Sequence, residues 1–170
     1  MHSKLKVLQN ICRFSKKLFK KFRIPEFIFD DEKIVRTVFS PVNVKNGELR
    51  PNAFRPPTDS DEISVSRLSY TTVDKIKSIS KEIQNPSANR SYFGLALLYA
   101  MEIREVEAEV IYTPIKLNKY HSDIKIGHVM QKGIPLPAEV NFRINTMHKK
   151  ARFYKDPNPN SAYWEGNQVE

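Results

Sequence analysis

The sequence has few of the residues on which many enzyme sites and secreted folds are built. Its single cysteine, Cys12, excludes an intramolecular disulfide and a zinc site made of several thiolates, and favours a reducing, cytoplasmic setting. Its five glycines are scattered, so the phosphate-binding patterns GxGxxG and GxxxxGK[ST] are absent. No stretch approaches the roughly 20 apolar residues of a membrane-spanning helix. These absences predict a cytoplasmic protein without the common nucleotide-binding motifs.

Acidic residues are missing from one part of the chain. Residues 1–24 hold eight lysines and arginines and no aspartate or glutamate, whereas residues 25–170 hold 20 basic and 19 acidic residues. The net charge of +9 is therefore concentrated near the N-terminus. Any electrostatic attraction to an anionic partner should reside there.

Within residues 1–24, apolar and basic residues each recur at helical spacing. Apolar side chains from Val7 to Phe22 fall on one arc of a helical wheel, basic ones fall opposite, and Pro25 should end the helix. Three interpretations stay open: the helix packs on its own domain, docks on a partner protein, or binds an anionic membrane surface or nucleic acid. The residues predicted to contact a partner are Phe14, Lys16, Lys17, Phe19, Lys20, Lys21 and Phe22.

The rest of the chain alternates strand and helix patterns. Strands are predicted over 34–39, 62–70, 108–115 and 122–129, and helices over 73–84, 92–107 and from Pro137 to about Tyr154. Thr71 and Asp74 stand at capping-box spacing before the first of these helices. The segment YFGLALLY within 92–107 is also typical of a buried strand, but its leucine and alanine content favours a helix.

This order of elements predicts an α+β fold. We expect a small mixed or antiparallel sheet packed by two or three helices within a single core domain over 25–155. The basic amphipathic helix over 1–24 precedes this domain, and a polar tail over 156–170 follows it.

One strand carries candidates for acid–base chemistry or metal binding. His121 and Asp123 are two residues apart, so their side chains share a face of the predicted strand. They fit a base with its orienting carboxylate, or two metal ligands. The alternative is an edge histidine bonded to a neighbouring carboxylate.

Polar residues crowd the stretch FRPPTDSDEISVSRLSY, residues 54–70. Arg55, Ser66 and Arg67 are candidates for binding an anion, because guanidinium groups bind oxyanions in pairs of hydrogen bonds. The alternative is a braced loop, in which arginines pair with nearby acids. The groups concerned would be Arg50, Arg55, Arg67, Asp59, Asp61 and Glu62.

Residues 39–127 resemble a pattern of uncharacterised small bacterial proteins. The pattern is G-x-L-x-P-x-A-F-x-P followed by L-S-V-x-R and a later H-A-x-I-like segment, here GELRPNAFRP, ISVSR and HSDIKIG. A looser similarity is to the ADP-ribosyltransferase layout, which implies NAD as cofactor. Arg36 on a first strand, Ser64 or Ser66 on a second strand, and Glu109 would then surround NAD.

These observations predict first a non-enzymatic accessory protein of a bacterial cytoplasmic system, in the context of a toxin or phage-defence locus. It would need no cofactor and would dock another protein or an anionic surface through residues 4–23. The alternative is an ADP-ribosyltransferase-like enzyme that uses Arg36, Ser64 and Glu109. A nucleic-acid binder is a third interpretation. Whether the protein is an enzyme at all, and its oligomeric state, stay open.

Overall fold

The computed structural model describes residues 23–85 and 90–170. The predicted N-terminal helix lies outside these residues except for its last two positions. All seven residues predicted to contact a partner, from Phe14 to Phe22, lie outside them as well.

Six strands form one antiparallel sheet in the order β6-β7-β4-β1-β5-β8. Strands β2 and β3 form a separate hairpin, whose turn is Asn46-Gly47 with positive φ angles at both residues. The prediction of an α+β fold with an antiparallel sheet is therefore confirmed. The elements are β1 Lys33–Ser40, β2 Val44–Lys45, β3 Glu48–Leu49, β4 Glu62–Arg67, α1 Val73–Ile83, β5 Ser91–Tyr99, α2 Ala100–Arg104, β6 Glu109–Tyr112, β7 His121–Lys125, α3 Ala138–Lys150 and β8 Arg152–Lys155.

The two faces of the six-stranded sheet differ in composition. The first, called here the apolar face, carries buried aliphatic side chains that pack against α3: Ile34, Val38, Ile63, Val65, Ala96, Leu98, Val110 and Ile124. The second, called here the cavity face, is covered by α1 and carries both apolar and polar side chains: Val35, Thr37, Phe39, Ser64, Ser66, Leu95, Leu97, His121 and Asp123. The alternation of side chains along each strand separates the two sets.

The helix predicted over 92–107 is wrong for most of its length. Residues 91–99 form β5, a central strand, and only Ala100–Arg104 are helical. A strand buried on both faces is a continuous apolar run without alternation, and periodicity alone does not distinguish it from a helix. Gly94 allows β8 to pair here, since a Cβ at this position would lie 2.3 Å from the carbonyl oxygen of Tyr154. Strand β8 was not predicted, and α3 ends at Lys150 rather than near Tyr154.

Helix α1 is capped by Thr72 and not by the predicted Thr71. The Thr72 hydroxyl oxygen accepts a hydrogen bond from the backbone N–H of Lys75 at 3.2 Å. The helix is also tied to residues 156–170. The ammonium group of Lys77 contacts the Asp156 carboxylate at 2.8 Å, and both side chains are fully buried. The same ammonium donates hydrogen bonds to the backbone carbonyls of Asn158 and Tyr163.

Candidate functional site

A gap between two neighbouring strands creates the candidate site. β1 pairs with β4 only at Ile34–Arg67 and Val35–Ser66, and farther along β1 the ladder stops. Next to this gap lies a cavity of about 510 Å³, bounded by β1, β4, β7, α1 and the loop before β4. Its volume is in the range of cavities that bind small organic ligands.

Arg36 lies in this gap and lines the cavity. Its Nε donates to the carbonyl of Ala53 at 3.1 Å, and its Nη1 donates to the carbonyl of Ser64 at 2.6 Å. Burial, reinforced by the nearby charge of Arg90, lowers the pKa of Arg36 to about 10, whereas Asp123 acts in the opposite direction. Arg36 is thus a cation at neutral pH that has lost much of its hydration.

Arg90 is a cavity residue that the sequence did not single out. Its guanidinium stacks over the ring of Phe39, 4.2 Å from the ring centroid, and both side chains line the cavity. Arg90 immediately precedes β5, and its backbone is paired with that of Asn85. The one available signal was the position of Arg90 directly before an apolar run. Because that run was predicted to be a helix rather than a strand, Arg90 was not placed next to the sheet.

Polar groups line the part of the cavity formed by β4. The hydroxyl oxygen of Ser66 accepts the side-chain amide of Asn118 at 2.9 Å, which leaves the Ser66 proton to point to another acceptor. Ser64 is exposed in the cavity. Among the described residues, nothing donates to the buried Oδ1 atom of Asn52, which also lines the cavity.

His121 and Asp123 lie side by side on β7, as their spacing predicted. The Nε2 atom of His121 is 3.7 Å from Oδ1 of Asp123. Thr113 contacts both residues: its carbonyl is 2.8 Å from Nδ1 of His121, and its hydroxyl donates to Oδ2 of Asp123 at 2.6 Å. In the sheet, Asp123 is paired with Ser64 and His121 with Ser66.

Helix α1 forms the apolar wall of the cavity. Ile76, Ile79 and Ile83 line it from this side. A hydroxyl pair joins the helix to the sheet, because Ser80 donates to the Ile76 carbonyl and therefore accepts from Thr37 at 2.8 Å. The cavity thus has an apolar wall opposite polar and charged strands.

Six of the residues predicted from the sequence line this one cavity: Arg36, Arg55, Ser64, Ser66, His121 and Asp123. Glu109 does not line it, and lies exposed on the edge strand β6. Glu109, the third residue of the ADP-ribosyltransferase layout, therefore does not share a cavity with Arg36 and Ser64, although all three lie in the same sheet.

Arg67 does not line the cavity either. It is fully buried and makes two hydrogen bonds to the carboxylate of Glu32, at 2.6 and 2.7 Å, between the rings of Tyr70 and Tyr112. The predicted pairing of Arg67 with an acid of the stretch 54–70 is therefore wrong. Glu62 likewise contacts Lys125, at 3.2 Å.

Three further findings concern metal ions, membrane-spanning helices and known proteins. Within residues 23–85 and 90–170, no three His, Cys, Asp or Glu side chains are grouped so that they could hold a metal ion. In the same ranges, no helix is long and apolar enough to cross a membrane. Comparisons with protein-family models, with curated proteins and with solved structures find no match to this chain.

Proposed function

We propose that the protein binds a small organic oxyanion, a compound with a phosphate or carboxylate group, in the cavity between β1, β4, β7 and α1. The observation that carries this proposal is the placement of two guanidinium groups, Arg36 and Arg90, at one cavity. Burial and mutual repulsion lower the pKa of Arg36, so a bound anion would stabilise both cations.

The rest of the cavity supports an organic ligand rather than a bare ion. Arg55 adds a third cation, and the hydroxyls of Ser64 and Ser66 supply further hydrogen bonds to an oxyanion. The isoleucines of α1 offer apolar surface for a carbon skeleton. A ligand that spans these regions needs a charged group and an apolar part.

NAD belongs to this chemical class because it carries a diphosphate. The alternative predicted from the sequence, an NAD-using transferase, finds support in Arg36 and Ser64, which line the cavity, but not in Glu109. The accessory role through residues 4–23 stays a prediction from the sequence alone. It predicts that a partner copurifies with the full chain and is lost when the chain starts at Ile24.

Binding of anions measured by calorimetry tests the proposal. AMP, NAD and inorganic phosphate should bind, whereas adenosine should bind much more weakly. Arg90→Ala should weaken AMP binding by about tenfold or more, since a hydrogen bond to a charged group contributes about 1.5–3 kcal/mol. Arg50→Ala is the matched control, because Arg50 is exposed and does not line the cavity.

Two results would contradict the proposal. One is that no anion binds beyond the effect of sodium chloride at the same ionic strength. The other is that Arg50→Ala and Arg90→Ala weaken binding equally, which would indicate attraction by the net charge of the protein rather than by this cavity.

A further inference from the structure

The proton on the His121 ring can be assigned from its neighbours. A backbone carbonyl only accepts hydrogen bonds, so the carbonyl of Thr113, 2.8 Å from Nδ1, requires the hydrogen on Nδ1. In the neutral imidazole the other nitrogen, Nε2, then carries a lone pair. When the ring is neutral, Nε2 is therefore an acceptor at the cavity.

Among the described residues, the carboxylate of Asp123 receives a hydrogen bond at one oxygen only. Its Oδ2 accepts the hydroxyl of Thr113 at 2.6 Å. Its Oδ1 lies 3.7 Å from Nε2 of His121, which is too long for a hydrogen bond. Two acceptors, one of them negatively charged, thus lie next to each other in a largely buried position, and a ligand group with several N–H donors satisfies both.

Sheet register places these acceptors close to the cationic part of the cavity. Asp123 is paired with Ser64 across the β4–β7 ladder, and the Ser64 carbonyl accepts Nη1 of Arg36 at 2.6 Å. Arg36 and Asp123 therefore flank the same residue from the two neighbouring strands. The cavity presents donors on one side of Ser64 and acceptors on the other.

We infer that the ligand is a zwitterion, an organic oxyanion that also carries a protonated amino group. Its oxyanion binds Arg36 and Arg90, and its ammonium group lies between Nε2 of His121 and Oδ1 of Asp123. An ammonium group provides three donors and one positive charge, which matches a neutral acceptor beside a carboxylate. This inference rests on the proposed function, since it assigns the second charge of the same ligand.

Matched ligand pairs test the inference with the full chain. The probes are 4-aminobutanoate, 5-aminopentanoate and 6-aminohexanoate, each compared with butanoate, pentanoate or hexanoate of equal length, and O-phosphoethanolamine compared with ethyl phosphate. Affinities are measured by calorimetry or by NMR titration. At least one amino compound should bind tenfold or more tightly than its partner, and should shift the ring resonances of His121.

Asp123→Asn should abolish this preference, and it should not weaken binding of the unsubstituted anion, because it removes a negative charge from the cavity. Glu62→Gln is the matched control, because Glu62 also lines the cavity but its carboxylate contacts Lys125. It should keep the preference. If Asp123→Asn does not fold, His121→Gln replaces it and should reduce the preference.

Equal binding within every pair would overturn the inference and leave the oxyanion site standing. Equal loss of the preference in Asp123→Asn and Glu62→Gln would overturn it too, because the effect would then be one of overall charge. If neither member of any pair binds although AMP does, this inference is overturned and the oxyanion site stands. If AMP and inorganic phosphate do not bind either, the proposed function fails and this inference fails with it.

Discussion

The apolar face of the sheet packs against α3 through aliphatic side chains, whereas the cavity face meets α1 partly through polar groups and leaves about 510 Å³ unfilled. On the apolar face, Ile124 and Ile63 are 0% and 1% exposed. On the cavity face, the cross-strand partners next to them, Ser64 and Asp123, are polar. Two strands, β4 and β7, thus supply core on one side and part of the cavity wall on the other.

Within one sheet, the packed core and the proposed binding site thus lie on opposite faces. Burial of apolar surface on the α3 side stabilises the fold without requiring any polar partner. The cavity face buries less apolar surface against α1. Polar contacts attach this helix instead: Lys77 binds residues 156–170, and Ser80 is hydrogen-bonded to Thr37 of β1. Substitutions on the two faces should therefore have different consequences.

The largest expected effect comes from the attachment of α1 to residues 156–170. Asp156→Ala should lower the free energy of unfolding by about 3–5 kcal/mol, because it leaves the fully buried ammonium of Lys77 without its carboxylate. Chemical denaturation measures the change. The double variant Lys77→Met, Asp156→Leu should recover much of the loss, since it buries no charge. A loss below about 1 kcal/mol in the single variant would contradict the prediction.

A matched pair of isoleucines compares the two faces directly. Ile144 of α3 and Ile79 of α1 are 4% and 6% exposed, so their burial is nearly equal. Ile144→Ala should cost about 2–5 kcal/mol because it opens a void in the packed core. Ile79→Ala should lower the free energy of unfolding by about 2 kcal/mol or less, because it enlarges a cavity that already exists. Only the transfer of the removed apolar surface from water is then lost.

In ligand binding, Ile79→Ala should have the larger effect of these two variants. Ile79→Ala should weaken binding of AMP measured by calorimetry, whereas Ile144→Ala should leave it unchanged under conditions where the variant is folded. Equal destabilisation by the two variants would show that the α1 side is packed like the α3 side.

The smallest expected effect concerns the cap of α1. Thr72→Ala should lower the free energy of unfolding by about 1 kcal/mol, because the backbone N–H of Lys75 loses its acceptor. Thr71→Ala, one position earlier, is the control and should change it by less than about 0.5 kcal/mol. Thermal unfolding of the two variants side by side decides between them. A larger loss of stability in Thr71→Ala than in Thr72→Ala would indicate that Thr71 caps the helix, as the sequence predicted.

Much of the fold was predictable from local patterns. Period-two alternation predicted that Ile63 and Val65 would be buried on one side and Ser64 and Ser66 would face the other, as they do. Proline correctly confined β6 to an edge. β5 was missed because burial on both faces removes the alternation on which strand prediction depends. β8 was missed because its pairing depends on Gly94, a residue far away in the chain.

Local spacing was enough to predict which polar residues share the cavity face, because alternation along a strand sets the face of each side chain: His121 with Asp123, and Ser64 with Ser66. Which arginines line the cavity depends on contacts between segments that are distant in the chain. Arg36 lines the cavity because the β1–β4 ladder stops after Val35. Arg67, next to Ser66 in the chain, instead forms a buried ion pair with Glu32. Strand register and ion-pair partners join residues distant in the chain, and local spacing carries no information about them.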